Sequence, residues 1–312
     1  MNDYSTYHKP ISFVIITYNR PEDTLALLRN LCALEETERL LRDIVLVNNA
    51  STSDYSSVKS FIESERKISI KYIDSPQNLG VSKGRNFALQ FTDAPILVLL
   101  DDDAELEGKN SLVQIAKAFS QSGKDGRRIG IVSFLVRYFE NNQIQKNAFA
   151  HKQFDKYKDQ SFFFTYYYAG GAHAILREVL DQTGSYSQDF FYGMEEYDFS
   201  YRMLEKGWSI AFTDSVVMLH KESPLGRTTK AEKWQMMWVN KSKVAFRYLP
   251  MKYFYSTSIL WSLQYLKSSG FDLKGWWQGW KKIINISRTE KRVKISYNTL
   301  AYLKSVDARL SY

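Results

Sequence analysis

Cysteine occurs once in these 312 residues, at Cys32, so no intrachain disulfide can form and no cysteine-based zinc site can be built. Cys32 falls in the apolar pattern Leu28, Leu31, Cys32, Leu34 and reads as a small core residue. The chain has no G-x-x-x-x-G-K-[ST] phosphate loop and no G-x-G-x-x-G fingerprint, which takes away the main sequence support for ATP hydrolysis and nicotinamide chemistry. Its longest apolar stretch, Ala94 to Leu100, is far short of the roughly 20 residues that a membrane-spanning helix needs. Met1 to Pro10 is polar and lacks the apolar centre of a signal peptide, so a cytoplasmic protein is expected. Internal repeats and low-complexity tracts are also missing.

What is present suits a folded enzyme. Hydrophobic residues make up 44% of the chain and aromatics 15%, ample for one large α/β domain with an appendage. Periodicity predicts strands near 11–17, 43–48, 68–73, 95–100 and 129–138, and helices near 22–34, 54–65, 82–91 and 110–121. This alternation predicts a mainly parallel central sheet flanked by helices. Ligands of such sheets collect beyond the carboxyl ends of the strands, where Thr17, Asn48 and Asp101 fall.

Asp101, Asp102 and Asp103 follow the apolar run Pro95 to Leu100, so clustered carboxylates stand at the rim of a buried strand. Hard oxygen ligands there suit a divalent cation and a diphosphate. Three other segments carry compatible chemistry. Phe13 to Arg20 is a β-branched run ending in Thr17, Tyr18, Asn19 and Arg20 before Pro21. Asp43 to Ser51 closes on Asn48, Asn49 and Ser51, amides and a hydroxyl able to read a nucleobase edge. In Asn78 to Asn86 the glycines permit close backbone approach, while Lys83 and Arg85 supply cations for a phosphate.

These segments, followed in order by Ala169-Gly170-Gly171-Ala172, by Gly193-Met194-Glu195-Glu196-Tyr197-Asp198 and by His220, resemble the family-two glycosyltransferases over about residues 10 to 230. The resemblance implies a GT-A fold, with a nucleotide-sugar half at about 10–105, an acceptor half at about 106–230 and a mostly helical C-terminal region at 231–312. It implies inverting, metal-dependent transfer of one sugar from a nucleotide sugar to an acceptor hydroxyl, in cell-surface glycan or polysaccharide synthesis. Asp101 and Asp103 would form the D-x-D, Asp103 as the more direct ligand of Mn²⁺ or Mg²⁺ and Asp101 acting through water or the ribose. Asp102 stands between them in the nucleotide-binding set with Thr17, Tyr18, Asn19, Arg20, Asn48, Asn49, Lys83, Arg85 and Asn86. His220 reads equally as a further metal ligand or as a structural residue.

Glu195 and Glu196 resemble the family's acidic pair, usually Glu-Asp. Glu196, at the Asp position, is favoured as the base that deprotonates the acceptor, with Glu195 as its rival. Gly170, Gly171 and Asp198 belong to the donor and acceptor pocket, and Phe162 to Tyr168 offers an aromatic wall for the acceptor. Asn48 stands where many relatives carry an aspartate that bonds uracil, so UDP is favoured and dTDP stays open. The Q-x-x-R-W signature of processive relatives is missing; Ser200-Tyr201-Arg202-Met203-Leu204 stands there, which favours single additions to a glycan or lipid-linked acceptor. A sugar-phosphate nucleotidyltransferase is the enzymatic alternative, but it should carry a Gly-rich basic loop where Thr17 to Arg20 stands. A catalytically silent membrane- or glycan-binding protein is the non-enzymatic one, and the intact carboxylates speak against it.

Charge is uneven along the chain. Residues 231–312 hold 15 Lys and Arg against 4 Asp and Glu, a balance of +11 within a chain of net charge +8. The same segment holds six of the seven tryptophans, Trp234, Trp238, Trp261, Trp276, Trp277 and Trp280. Basic residues among Trp and Tyr suit an anionic membrane surface. Ile259, Leu260, Leu263 and Leu266 form a helical stripe that suits packing instead, and the two roles are compatible. Nucleic acid ranks lowest, because the remainder is mildly acidic and has no nucleic-acid motif. Lys221 to Lys230, where the domain boundary falls, reads as a loop able to fold over a diphosphate.

Overall fold

The structure is a computed structural model that describes residues 4–190, 193–222 and 230–310. Nine strands form one sheet: β1 (Ile11–Thr17), β2 (Leu41–Asn48), β3 (Ile70–Asp74), β4 (Ile96–Asp101), β5 (Ala104–Leu106), β6 (Arg128–Tyr138), β7 (Phe162–Thr165), β8 (Ala172–Leu176) and β9 (Trp208–His220). The helices of the first part are α1 (Pro21–Cys32), α2 (Thr37–Leu40), α3 (Ser56–Ser64), α4 (Gly80–Ala88), α5 (Ser111–Ala118), α6 (Phe154–Tyr157), α7 (Arg177–Thr183) and α8 (Glu195–Glu205). Then come α9 (Lys230–Tyr248), α10 (Met251–Ser269), α11 (Leu273–Thr289) and α12 (Tyr297–Ser305).

The order across the sheet is β3-β2-β1-β4-β8-β6-β9-β5, with β7 also paired to β9. The first four strands are parallel, joined by helical crossovers, and the near-continuous Val, Ile and Leu runs of β1, β2 and β4 are buried on both faces. Their carboxyl ends are level, since Thr17 pairs with Asn48, Asn48 with Asp74 and Ile16 with Asp101. Beyond β4 the sheet departs from the parallel expectation. β8 enters antiparallel between β4 and β6, and β9 runs parallel to β6 but antiparallel to β5 and β7.

β9 is long and irregular, its register on β6 shifting between Phe134 and Leu135. Its first half, Ile210–Thr213, pairs with β7, and its last residues, Met218–His220, pair with β5. That bend takes the strand end to Ala104, so His220 arrives beside the Asp101–Asp103 turn.

The C-terminal helices share the main core. Trp238 of α9 is fully buried; its Nε1–H donates to Ser258 O at 2.9 Å, and its ring lies against Gly279 and stacks on Tyr265. Of the two roles open to the α10 stripe, Ile259, Leu260 and Leu263 do not take up packing: they are 53%, 43% and 58% exposed, while Thr257, Ser258 and Ser262 of the same helix are buried. Trp238 packs on α10 at Ser258 and Tyr265, so α10 turns the face of Thr257, Ser258, Ser262 and Tyr265 inward and its apolar stripe outward.

α8 is tied to these helices by charge. Asp198 accepts from Arg202 Nε at 3.0 Å, from Arg247 Nη1 at 2.8 Å and from the Tyr248 hydroxyl at 2.8 Å. Arg247 also pairs with Asp189 and Glu290. Removing one member of a buried ion group strands the others without compensation. Arg247→Met is therefore expected to cost about 3–5 kcal/mol of stability, read from urea unfolding of the full chain. A loss below about 1 kcal/mol would show that the group is solvated and dispensable.

Candidate active site

A cavity of about 1110 Å³ opens beyond the carboxyl ends of β1 and β4 and under the start of α8. That is at or above the roughly 300–1,000 Å³ of ordinary small-molecule sites. Asp101, Asp102, Asp103, Glu195 and Glu196 all line it, with His220, Arg20 and Arg85.

Asp101 ends β4, and its N–H donates to Gly171 O at 3.1 Å. A Cβ on Gly171 would overlap the Asp101 carboxylate, and one on Gly170 would overlap Glu196 Oε1. Glycine is required at both places because two acidic side chains lie directly on the backbone. The turn that carries them is braced from below. His173 bonds Ala169 O through Nδ1 at 3.0 Å and the Tyr186 hydroxyl through Nε2 at 3.1 Å, and burial beside Arg85 pulls its pKa down to about 3. His173 is thus a neutral structural donor and acceptor.

Asp103 and His220 meet because Ala104 pairs with His220 and the Lys221 N–H donates to Asp103 O at 3.0 Å. His220 Nε2 lies 3.3 Å from Asp103 Oδ1, while its Nδ1 bonds Gln145 Oε1 at 2.8 Å. Gln145 is held in turn by donating to Glu222 Oε1 at 2.7 Å. A histidine bonded through Nδ1 keeps Nε2 for a ligand. One ligand atom from each of Asp101, Asp103 and His220 falls within 4.8 Å of the others. Two carboxylates and an imidazole are a donor set that Mn²⁺ or Mg²⁺ accepts. Asp102 turns toward the first strand: Arg20 Nη1 donates to its Oδ1 at 2.7 Å, the Tyr18 N–H donates to its Oδ2 at 3.2 Å, and burial lifts its pKa to about 6. Arg20 also lies 3.2 Å from Asp103 Oδ2.

The acidic pair opens α8 directly after Met194, whose φ of +78° is an uncommon left-handed value for a side-chain-bearing residue. Arg85 is buried between the two halves, 3.4 Å from Glu195 Oε1 and 3.8 Å from Glu196 Oε1. Glu195 is 3% exposed; burial, then the neighbouring Glu196, push its carboxyl up to about 8 against the pull of Arg85. Burial thus favours the protonated form of Glu195, while Glu196 is partly open to the cavity.

Beyond Glu196 lies an aromatic wall flanked by Lys152 and Lys241, whose charged forms burial disfavours. Lys152 Nζ is 4.7 Å from the Tyr167 ring, which stacks on Tyr197 at 4.9 Å, and Lys241 Nζ is 5.5 Å from Tyr197. Tyr167 and Tyr168 of the expected wall reach the cavity; Phe162–Thr165 forms β7.

Of the other residues singled out in the sequence, Tyr18, Asn19, Arg20, Asn49, Gly170 and Gly171 also line the cavity, whereas Thr17, Asn48, Lys83, Asn86 and Asp198 are not on its wall. The Thr17 hydroxyl is buried against Thr24 and Tyr55. Asn48 spends its amide on Asp74 and Tyr72 and its carbonyl on the Ser51 N–H, so both halves of its base-reading edge are occupied. Lys83 is exposed, because α4 packs Gly84 on Ile16 and the preceding position turns to solvent. Asn86 makes two bonds to the Tyr186 backbone, pinning the segment before α8 to α4. Asp198 lies in the ion group with Arg247. Residues 223–229 of the expected closing loop lie outside the described residues. Gln145, Lys152 and His173 carry roles the sequence reading missed; His173 alone had a signal, alternating two residues after Gly171 along a strand.

The model of Glycosyl transferase family 2 matches residues 12–184. An uncharacterized protein of Haemophilus influenzae is 27% identical over 178 residues, 56% of this chain and 91% of that protein. A hyaluronan synthase of Pasteurella multocida is 23% identical over 252 residues, 70% of this chain and only 25% of that enzyme's length. Among solved structures, GalNAc-T7 with UDP, GalNAc and Mn²⁺ superposes with a TM-score of 0.64 at 18% identity, over 80% of this chain and 50% of that one. The mannosyltransferase PcManGT of Pyrobaculum calidifontis, in complex with GDP-Man and Mn²⁺, gives 0.61 at 16% identity over 96% and 80% of the two chains. S. aureus TarS 1–349 in complex with UDP-GlcNAc gives 0.58 at 14% over 88% and 81%. At these identities the likeness is one of fold.

The proton on Glu195 has a measurable consequence. Folding keeps it on a group that the unfolded chain ionises near 4.5, so stability present below that pH is lost as pH rises toward about 8. Glu195→Gln removes the titration, and its melting temperature relative to the unaltered protein should rise by several degrees between pH 5 and pH 8.5. A gap that stays constant over this window would place Glu195 back among ordinary carboxylates.

Proposed function

The chain belongs to glycosyl transferase family 2 and has the GT-A fold, and from that premise we propose that it is an inverting, metal-dependent glycosyltransferase. It moves one sugar from a nucleoside diphosphate donor to a hydroxyl of a glycan or lipid-linked acceptor, in cell-surface glycan or polysaccharide synthesis at the cytoplasmic face of a membrane. The observation that carries this reading is the meeting, in one cavity, of Asp101, Asp103 and His220 with Glu195, Glu196 and Arg85.

Asp101, Asp103 and His220 would hold Mn²⁺ or Mg²⁺, which when bound neutralises the charge that gathers on the departing diphosphate. Arg20 and Gln145 keep those ligands in place, Arg20 through Asp102 and Asp103 and Gln145 through the ring of His220. Arg85 sets a guanidinium beside the acidic pair, and Asn49 and Asn19 line the donor side. UDP-sugar is favoured, since structural neighbours hold UDP or UDP-GlcNAc; a dTDP-sugar is the alternative, because Asn48 replaces an acid and its edge is occupied.

On the acceptor side Glu196 takes the hydroxyl proton as the oxygen attacks the anomeric carbon. The neutral Glu195 lowers the repulsion that a second charge would impose and leaves Glu196 as the base. The Tyr167–Tyr197 stack supplies flat faces for a sugar ring. One base opposite one leaving group supports a single displacement with inversion.

Two variants test the roles. Asp103→Ala should leave the fold intact and reduce UDP affinity in the presence of Mn²⁺ to its metal-free value, by calorimetry; unchanged affinity would refute the metal assignment. Glu196→Gln should slow turnover by about 10²–10⁴-fold with donor binding little altered. If Glu195→Gln is the crippled variant instead, the base is Glu195.

A further inference from the structure

We propose that the outer faces of α10 and α11, together with the turn between them, form a docking surface for an anionic membrane. It rests on the transfer reading only for the acceptor that it would serve; the lipid contact stands on its own observations.

Both helices close over Trp238, through Ser258 and Tyr265 from α10 and Gly279 from α11, so their opposite faces point outward. On α10 that face carries Tyr255, Ile259, Leu260 and Leu263, between 43% and 58% exposed. On α11 it carries Leu273, Trp277 and Ile284, at 66%, 56% and 70%, positions that fall on one stripe at 100° per residue. Phe271, in the turn, is 72% exposed. Scattered apolar residues at a surface mean little, but two adjacent helices whose outward faces are both apolar make a patch.

Charge selects the occupant. From residue 251 to 298 there are nine Lys and Arg and only two acids, Asp272 and Glu290. Both acids are engaged inside the protein: Asp272 caps α11 at Gly275 N and accepts from the Tyr265 hydroxyl, and Glu290 pairs with Arg247 and Lys243. Lys252 and Lys267 flank the α10 stripe, and Lys274, Lys281 and Arg288 flank that of α11, all exposed. Apolar and aromatic side chains at acyl-boundary depth ringed by cations match anionic headgroups. A second copy of the chain fits poorly, because a two-fold contact through this face would set two basic surfaces against each other.

The position of the surface suits an acceptor presented by lipid. α9 lines the cavity with Lys233 and Met237, and the same helix carries Trp238, on which the docking helices sit. One helix therefore joins the acceptor side of the cavity to the surface.

The test is flotation of the full-length protein with vesicles of phosphatidylcholine alone and with roughly one-third phosphatidylglycerol. Binding is expected only to the anionic vesicles at low salt, and should weaken at about 0.5 M salt as attraction is screened. Trp277→Ala combined with Ile284→Ser should lower vesicle binding about tenfold or more with melting temperature and donor hydrolysis unchanged. Lys274→Glu with Lys281→Glu should remove most of the salt-sensitive part. Failure of the unaltered protein to bind anionic vesicles would overturn the proposal, as would equal binding by the Trp277→Ala, Ile284→Ser variant. Light scattering that finds a dimer dissolved by that variant would assign the face to a second copy and also overturn it. Unaltered protein that hydrolyses donor but ignores anionic vesicles fails this proposal alone, and unaltered protein that binds those vesicles but hydrolyses no donor fails the transfer reading alone.

Discussion

Placing Asp101, Asp102, Asp103, Glu195 and Glu196 around one cavity brings like charges together in a partly dry space, and the site depends on how that repulsion is relieved. Three devices do so. Arg20 bridges Asp102 and Asp103, Arg85 lies between the chain halves against Glu195 and Glu196, and Glu195 keeps a proton. Burial opposes the charge on Arg85, yet the two glutamates more than restore it, so the guanidinium is a permanent part of the cavity floor. His220 and Asp103 remain close enough to share an ion, the one relief the chain does not itself supply.

The sheet is organised to make this meeting possible. A parallel half ends at Asp101; an antiparallel β8, entered through Gly170 and Gly171, brings the second half against it with no side chain in between. The bend in β9 delivers His220 to the same rim. α8, which presents the acidic pair, is anchored at its far side by Asp198 to Arg247 of α9. The C-terminal helices thus hold α8 in place and share its core, and their outer faces stay available for other contacts.

Much of this was legible. Buried strands are read from apolar runs, and whatever follows the end of a parallel strand points into the crevice; that argument found Tyr18 to Arg20, Asn49 and Asp101 to Asp103. It failed where the direction of a side chain mattered. Thr17 and Asn48 end their strands but turn toward Tyr55 and Asp74, and Lys83 and Asp198 share a helix with cavity residues yet point elsewhere. Periodicity also left Ile259, Leu260 and Leu263 open between packing and lipid contact, since an apolar stripe does not reveal that Trp238 packs on the opposite face of that helix, at Ser258 and Tyr265. Gln145 and Lys152 lie outside regular strands and helices, where no repeat marks them, and only tertiary contacts give them a part.

The central claim is that a single base, Glu196, works opposite one leaving group held at Asp101, Asp103 and His220. NMR of the product formed from an α-linked nucleotide D-hexose tests it most directly. The account predicts a β linkage at the transferred anomeric carbon. A product that keeps the α configuration would contradict a single displacement and with it the assignment of Glu196 as base.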